Sequence, residues 1–137
     1  MDGRKTHRKK KSGIVLAALL LCLSFSVQAH AVGIVSGRYL SITATEITLE
    51  IKVGSQAPAS IIIIQYLPQG TTPTAADPSY KKFNAKKGEV RWLLRKVPPG
   101  TLTLQLKLSA PVKAGQISAE IRCMDPATGK LVTTQVK

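Results

Sequence analysis

Two stretches of this chain alternate apolar and polar side chains without a fault. In 46–53, Ile47, Leu49, Ile51 and Val53 take one parity, and Glu46, Thr48, Glu50 and Lys52 the other. In 101–108, Leu102, Leu104, Leu106 and Leu108 alternate with Thr101, Thr103, Gln105 and Lys107. A period of two over eight residues puts every apolar group on one face of a strand and smears them around a helix. These segments therefore predict strands with one core face and one wet face.

The same signal recurs in 117–123, where Ile117, Ala119, Ile121 and Cys123 alternate with Ser118, Glu120 and Arg122. It recurs in 89–95, where Val90, Trp92 and Leu94 alternate with Glu89, Arg91 and Arg95, and Leu93 alone breaks the wet parity. The run Ile61-Ile62-Ile63-Ile64 does not alternate. It predicts a strand buried on both faces, or one whose outer face a partner covers. Residues 35–42 and 131–136 read as weaker terminal strands. The segment 71–88 is the longest irregular piece, with room for one short strand around 80–83. Turn chemistry separates the strands: Pro68-Gln69-Gly70, Pro98-Pro99-Gly100, and Asp125-Pro126-Ala127-Thr128-Gly129. No stretch has a 3.6-residue period. The expectation is an all-β fold, an antiparallel immunoglobulin-like β-sandwich of about seven strands.

The N-terminus has a different composition. Residues 4–11 carry six cations, an apolar run of about 15 residues follows from Gly13 to Val27, and Ala29-His30-Ala31 ends it. This is the pattern of a secretory signal peptide cleaved after Ala31, or after Ala29. The apolar run is shorter than the ~20 residues a spanning helix needs. Leu21 before Cys22 spoils a lipoprotein motif, and no Arg-Arg pair marks the twin-arginine route. The reading is a signal peptide at 1–31 and a β-sandwich domain at 32–137, exported by the general secretory route to the periplasm or the cell exterior. Contact with a membrane would then come only through the transient signal.

Cleavage would change the chemistry available. His7 and His30 would leave, and Cys123 would be the one remaining cysteine. Fourteen of the 20 Lys+Arg and six of the seven Asp+Glu would remain, a net charge of +8. Without His, neither a Ser-His-Asp nor a Cys-His apparatus is available, and one Cys cannot make an all-thiolate zinc site. No glycine-rich phosphate loop and no D-x-D-x-D-G calcium loop is present. The expectation is a protein that is not an enzyme and takes no cofactor.

Three motifs carry a family likeness. Tyr66-Leu67-Pro68-Gln69-Gly70-Thr71 is a strand running into an L-P-x-G turn. Val90-Arg91-Trp92-Leu93-Leu94 is a strand with a lone Trp, and Val97-Pro98-Pro99-Gly100-Thr101 leads into the next strand. Over roughly residues 42–136 the chain resembles the immunoglobulin-like, cohesin-like β-sandwich domains of exported bacterial and archaeal surface proteins. The resemblance implies a fold and a non-catalytic, exported role, and it brings no catalytic residues. Trp92 reads as a core residue between two sheets. Cys123 reads as a buried thiol, or as an unpaired cysteine that cross-links to a partner in an oxidising compartment.

Two features are candidate binding sites. Ile61, Ile62, Ile63 and Ile64 would offer an apolar strand to a protein partner in the envelope or extracellular space. Lys81, Lys82, Lys86 and Lys87, interleaved with Tyr80 and Phe83 and followed by Arg91 and Arg95, would gather an anionic glycan or lipid headgroup. In the first reading the domain is a structural or interaction subunit of an envelope or extracellular assembly. In the second it is a secreted polyanion-binding module, for which nucleic acid is a poor partner outside the cell. The plainer reading of the patch is a solvated loop whose two rings tuck into the sandwich edge.

Overall fold

A computed structural model of the protein describes residues 33–137. The segment read as a signal peptide lies outside the described residues, as do both readings of its cleavage point. The described residues form nine strands and a 3₁₀ turn at Ala114–Gln116. The strands are β1 (Val35–Ile42), β2 (Glu46–Val53), β3 (Ser60–Tyr66), β4 (Pro73–Asp77), β5 (Lys82–Asn84), β6 (Glu89–Arg95), β7 (Gly100–Leu108), β8 (Ser118–Met124) and β9 (Leu131–Gln135). This is more than the seven or so expected, because the segment 71–88 contributes both β4 and β5.

Two antiparallel sheets enclose the core, one ordered β1-β2-β7-β4 and the other β5-β6-β3-β8-β9. The alternating segments supply its two walls. Ile47, Leu49 and Ile51 of β2 sit opposite Leu106, Leu104 and Leu102 of β7. In the five-stranded sheet, Ile63 lies between Trp92 and Ile121, and Ile61 between Leu94 and Cys123. Trp92 is fully buried and its indole N–H donates to the carbonyl of Pro78 at 2.8 Å. That bond ties the chain between β4 and β5 to the core and satisfies the indole's one polar atom. Truncation of such a residue to Ala costs roughly 3–5 kcal/mol.

The last residues link the sheets along one side. Val136 N–H bonds to Ala119 on β8, while Lys137 exchanges backbone bonds with Gly37 and Tyr39 on β1. Gly37 sits at this seam with Ile51, Ile121 and Val136 around the place a Cβ would occupy. The lack of a side chain there lets the two sheets approach.

The Ile run occupies the middle of its sheet. Both edges of β3 are hydrogen-bonded, to β6 on one side and to β8 on the other. Ile61, Ile62, Ile63 and Ile64 therefore have no free backbone edge, and the expectation that they add a strand to a partner is corrected. Ile61 and Ile63 belong to the core, and Ile64 is 1% exposed although it lies on the opposite face. Its cross-strand neighbours there are Arg91 and Glu120.

Candidate functional site

The two sheets differ in what they turn outward. On the four-stranded sheet, the non-core positions of β2 and β7 are Glu46, Thr48, Glu50, Lys52, Thr101, Thr103, Gln105 and Lys107, all polar. Arg38 and Lys52 both approach Glu50 there, at 2.8 and 3.8 Å. That face is an ordinary wet one. The non-core positions of the five-stranded sheet include Ile62, Ile64, Leu93, Met124 and Leu131. Met124 is 51% exposed and Leu131 63%. They face each other across the β8–β9 ladder, and Ile62 and Leu93 face each other across β3–β6.

The acids on this face are matched by cations. Glu120 is buried on the outer side, where an alternating strand predicts a solvated group. It accepts from Tyr66 Oη at 3.0 Å and from Gln135 Nε2 at 3.4 Å, and it is ion-paired with Arg122. Burial, and then the hydrogen bond to this carboxylate, push the Tyr66 phenol above its ordinary pKa. Glu89 lies 3.6 Å from Arg91. The acids of the face are thus engaged by its arginines. Four apolar side chains are left open to solvent in whole or in part: Ile62, Leu93, Met124 and Leu131.

The basic patch overlaps the β5–β6 side of this face. Lys82 is on β5, Lys86 and Lys87 are in the β5–β6 turn, and Arg91 and Arg95 lie on the outward parity of β6. Lys81, Lys82, Lys86, Lys87 and Arg95 are exposed. Tyr80 and Phe83 pack against the core, as the plainer reading expects. They are therefore not free to stack on a ligand. Lys82, Asn84, Lys87, Glu89 and Arg91 line a shallow polar recess.

Cys123 is buried in the core, 5% exposed and unpaired. Burial, followed by the charge of Asp125, raises its pKa, so it is poor in the reactive thiolate. Its placement fits a small core hydrophobe and not a cross-linking site.

The exposure of Met124 and Leu131 on the outer face is not legible in the alternation, although Leu93 on the wrong parity is a trace of it. Glu120 as a buried anchor is not legible there either; its partners Tyr66 and Gln135 come from two other strands. Among the described residues no group of three His, Cys, Asp or Glu side chains comes together as a metal site. Compared with known proteins, the chain matches no protein-family model and no curated protein.

Proposed function

We propose that this chain is an exported, non-catalytic interaction domain that joins a protein assembly of the envelope or cell surface through the outer face of its five-stranded sheet. The observation that carries this reading is the exposure of Met124 and Leu131, beside Ile62 and Leu93, on a face whose acids are already paired. The apolar pairs Ile62–Leu93 and Met124–Leu131, with Arg122 beside Ile62, give the face the Met- and Arg-containing composition of a protein-binding patch. A five-stranded face of this strand length spans about 20 Å by 20 Å, the order of one partner's share in a small interface.

The strand order supports the immunoglobulin-like assignment. With β1, β2, β3, β4, β7, β8 and β9 taken in sequence, one sheet has the order of the immunoglobulin A-B-E-D strands and the other that of C-F-G. The β5–β6 hairpin is then an insertion between the fourth and fifth strands of that frame, added beside β3. The cohesin-like resemblance and the N-terminal cation-then-apolar pattern support export.

The test is a pull-down from envelope extract with the tagged full chain, produced with its own N-terminal segment and washed at low and high salt. A defined protein retained at high salt by the wild type, and lost from Met124→Lys and Leu131→Lys, fits the proposal. A chain that stays monomeric and captures nothing, or captures equally with both substitutions, overturns it.

A further inference from the structure

The β5–β6 hairpin carries a defect that its own stability does not explain. Lys82 and Arg91 are directly opposite each other in the ladder, both on the outward face. Like charges in that position destabilise a sheet, where an opposite pair would help. Relief within the protein is slight. Arg91 approaches Glu89 at 3.6 Å, and its buried Nε has no hydrogen-bond partner. Lys82 is in no ion pair among the described residues, nor are Lys81, Lys86, Lys87, Arg95 and Lys96. Elsewhere among the described residues, Arg38, Lys52 and Arg122 have carboxylate partners, while Lys107, Lys113, Lys130 and Lys137 have none but are spread over the surface and not gathered on one hairpin.

The hairpin backbone that carries these cations is anchored. Tyr80 and Phe83 anchor the hairpin in the core, and Leu67 N–H bonds to the carbonyl of Gly88 at 2.8 Å. Asn84 Oδ1 accepts from the backbone N–H of Lys87 at 3.2 Å, fixing the turn. The cations run along the strand from Lys86 and Lys87 at the turn, past Lys82 and Arg91, to Arg95 and Lys96 at the far end. At 3.3 Å per residue, Glu89 to Arg95 spans about 20 Å.

We infer that this hairpin binds a linear acidic polysaccharide, with one carboxylate or sulfate group seated in the recess between Lys82, Lys87 and Arg91. An anion there turns the Lys82–Arg91 repulsion into a shared attraction. The length of the stripe fits a chain with repeated charges and exceeds what one small anion needs. Among the described residues the large exposed apolar side chains are Leu40, Met124 and Leu131, and the hairpin's outward face carries only the half-buried Leu93. A bilayer would gain little apolar burial from it. Glu89 is the one carboxylate lining the recess, and it limits how densely charged the seated group can be. This inference uses the β5–β6 side of the same outer sheet face, where Leu93 lies between Arg91 and Arg95, and it stands without the protein-partner proposal.

The experiment is titration of the full chain with heparin and with polygalacturonate, against neutral dextran and anionic lipid vesicles, at rising salt. Both acidic polymers should bind, with affinity falling at least about tenfold between 50 and 200 mM salt. Lys82→Glu places opposite charges across the ladder, so it should keep the thermal midpoint at or above wild type while weakening binding about tenfold or more. Glu89→Gln should strengthen binding. Lys107→Ser with Lys113→Ser, on other parts of the surface, should change it little. Equal binding by Lys82→Glu, an equal loss from Lys107→Ser with Lys113→Ser, or capture of vesicles in place of polysaccharide would overturn the inference.

Discussion

Tyr39 and Gln65 join the two sheets through the interior. The Tyr39 hydroxyl, on β1, donates to Gln65 Oε1, on β3, at 3.1 Å. Gln65 is fully buried on the inward parity of its strand, and its Nε2 donates to the carbonyls of Tyr66 and Ser118 at 3.0 Å each. Every polar atom of the side chain is thus engaged, which is the condition for a buried amide. Tyr39→Phe leaves the Gln65 oxygen without this donor and should cost about 1–2 kcal/mol. A double-mutant cycle with Gln65→Leu, read by urea denaturation, should give a coupling of about 0.5 kcal/mol or more. Strict additivity would mean that the bond does not hold the sheets together.

The same pair sets an alkaline limit. Burial raises the Tyr39 pKa from 10.0 to about 12, against a smaller lowering by Gln65. The neutral phenol is favoured in the folded state, so this contribution is complete below pH 10. It is lost as pH rises from 10 through 12. Tyr66 and Cys123 are shifted in the same direction and add to the slope. Unfolding free energy measured from pH 8 to 12 should fall in the wild type and fall less steeply in Tyr39→Phe. Parallel curves would contradict the assignment.

How far the sequence discloses this arrangement depends on where each strand's information sits. β2 and β6 match the alternating segments at both ends, β7 begins one residue earlier than its segment, and β8 is displaced by one residue at both ends. Those strands declare themselves because their own side chains sort into two faces. β4 does not: Pro73-Thr74-Ala75-Ala76-Asp77 has no such sorting, and it is a strand because β7 pairs with it. The four isoleucines mark a buried strand, yet their pattern is the same for a central and an edge position. Pairing partners decide between these, and they are long-range. Lys82 and Arg91 are nine positions apart, so the register that brings them face to face is legible only after the hairpin is placed.

Gly88 is required by its backbone. Its φ is +63°, and a Cβ added there would run into the carbonyl oxygen of Leu67, a backbone atom that cannot swing aside. The same two residues share the bond that holds the hairpin tip to the end of β3. Gly88→Ala should therefore lose about 2 kcal/mol or more, combining the left-handed penalty with the displaced contact. It should also weaken polyanion binding without touching a charge. A urea midpoint equal to wild type would show that the turn has room to relax.

Cys123 should behave as core. A thiol reagent added to the native protein should label it slowly, at the rate of unfolding or local opening, and fast in denaturant. Oxidising conditions should not produce a dimer linked through Cys123, read in a Cys22→Ser background. Cys123→Ala should cost about 1 kcal/mol, and Cys123→Ser should cost more, since the hydroxyl enters an apolar site beside Ile61 and Val132. Rapid labelling of the folded chain would restore the cross-linking reading.

Lys96 offers a test in which stability and binding move in opposite directions. Its φ is +53°, a left-handed conformation that most side chains pay to adopt and that glycine takes freely. Its N–H bonds to the carbonyl of Ala59 at 3.2 Å, which holds the chain in this bend at the end of β6. Lys96→Gly should thus be neutral or stabilising, by up to about 1 kcal/mol, and Lys96→Val should be destabilising, because a β-branched residue tolerates positive φ worst. The lysine also ends the cationic stripe, and Lys96→Gly should weaken heparin binding by a few-fold while the thermal midpoint rises. A residue kept for the bend alone would show the first effect without the second. If Lys96→Gly binds heparin as tightly as wild type, the stripe stops at Arg95, and the polysaccharide it fits is correspondingly shorter.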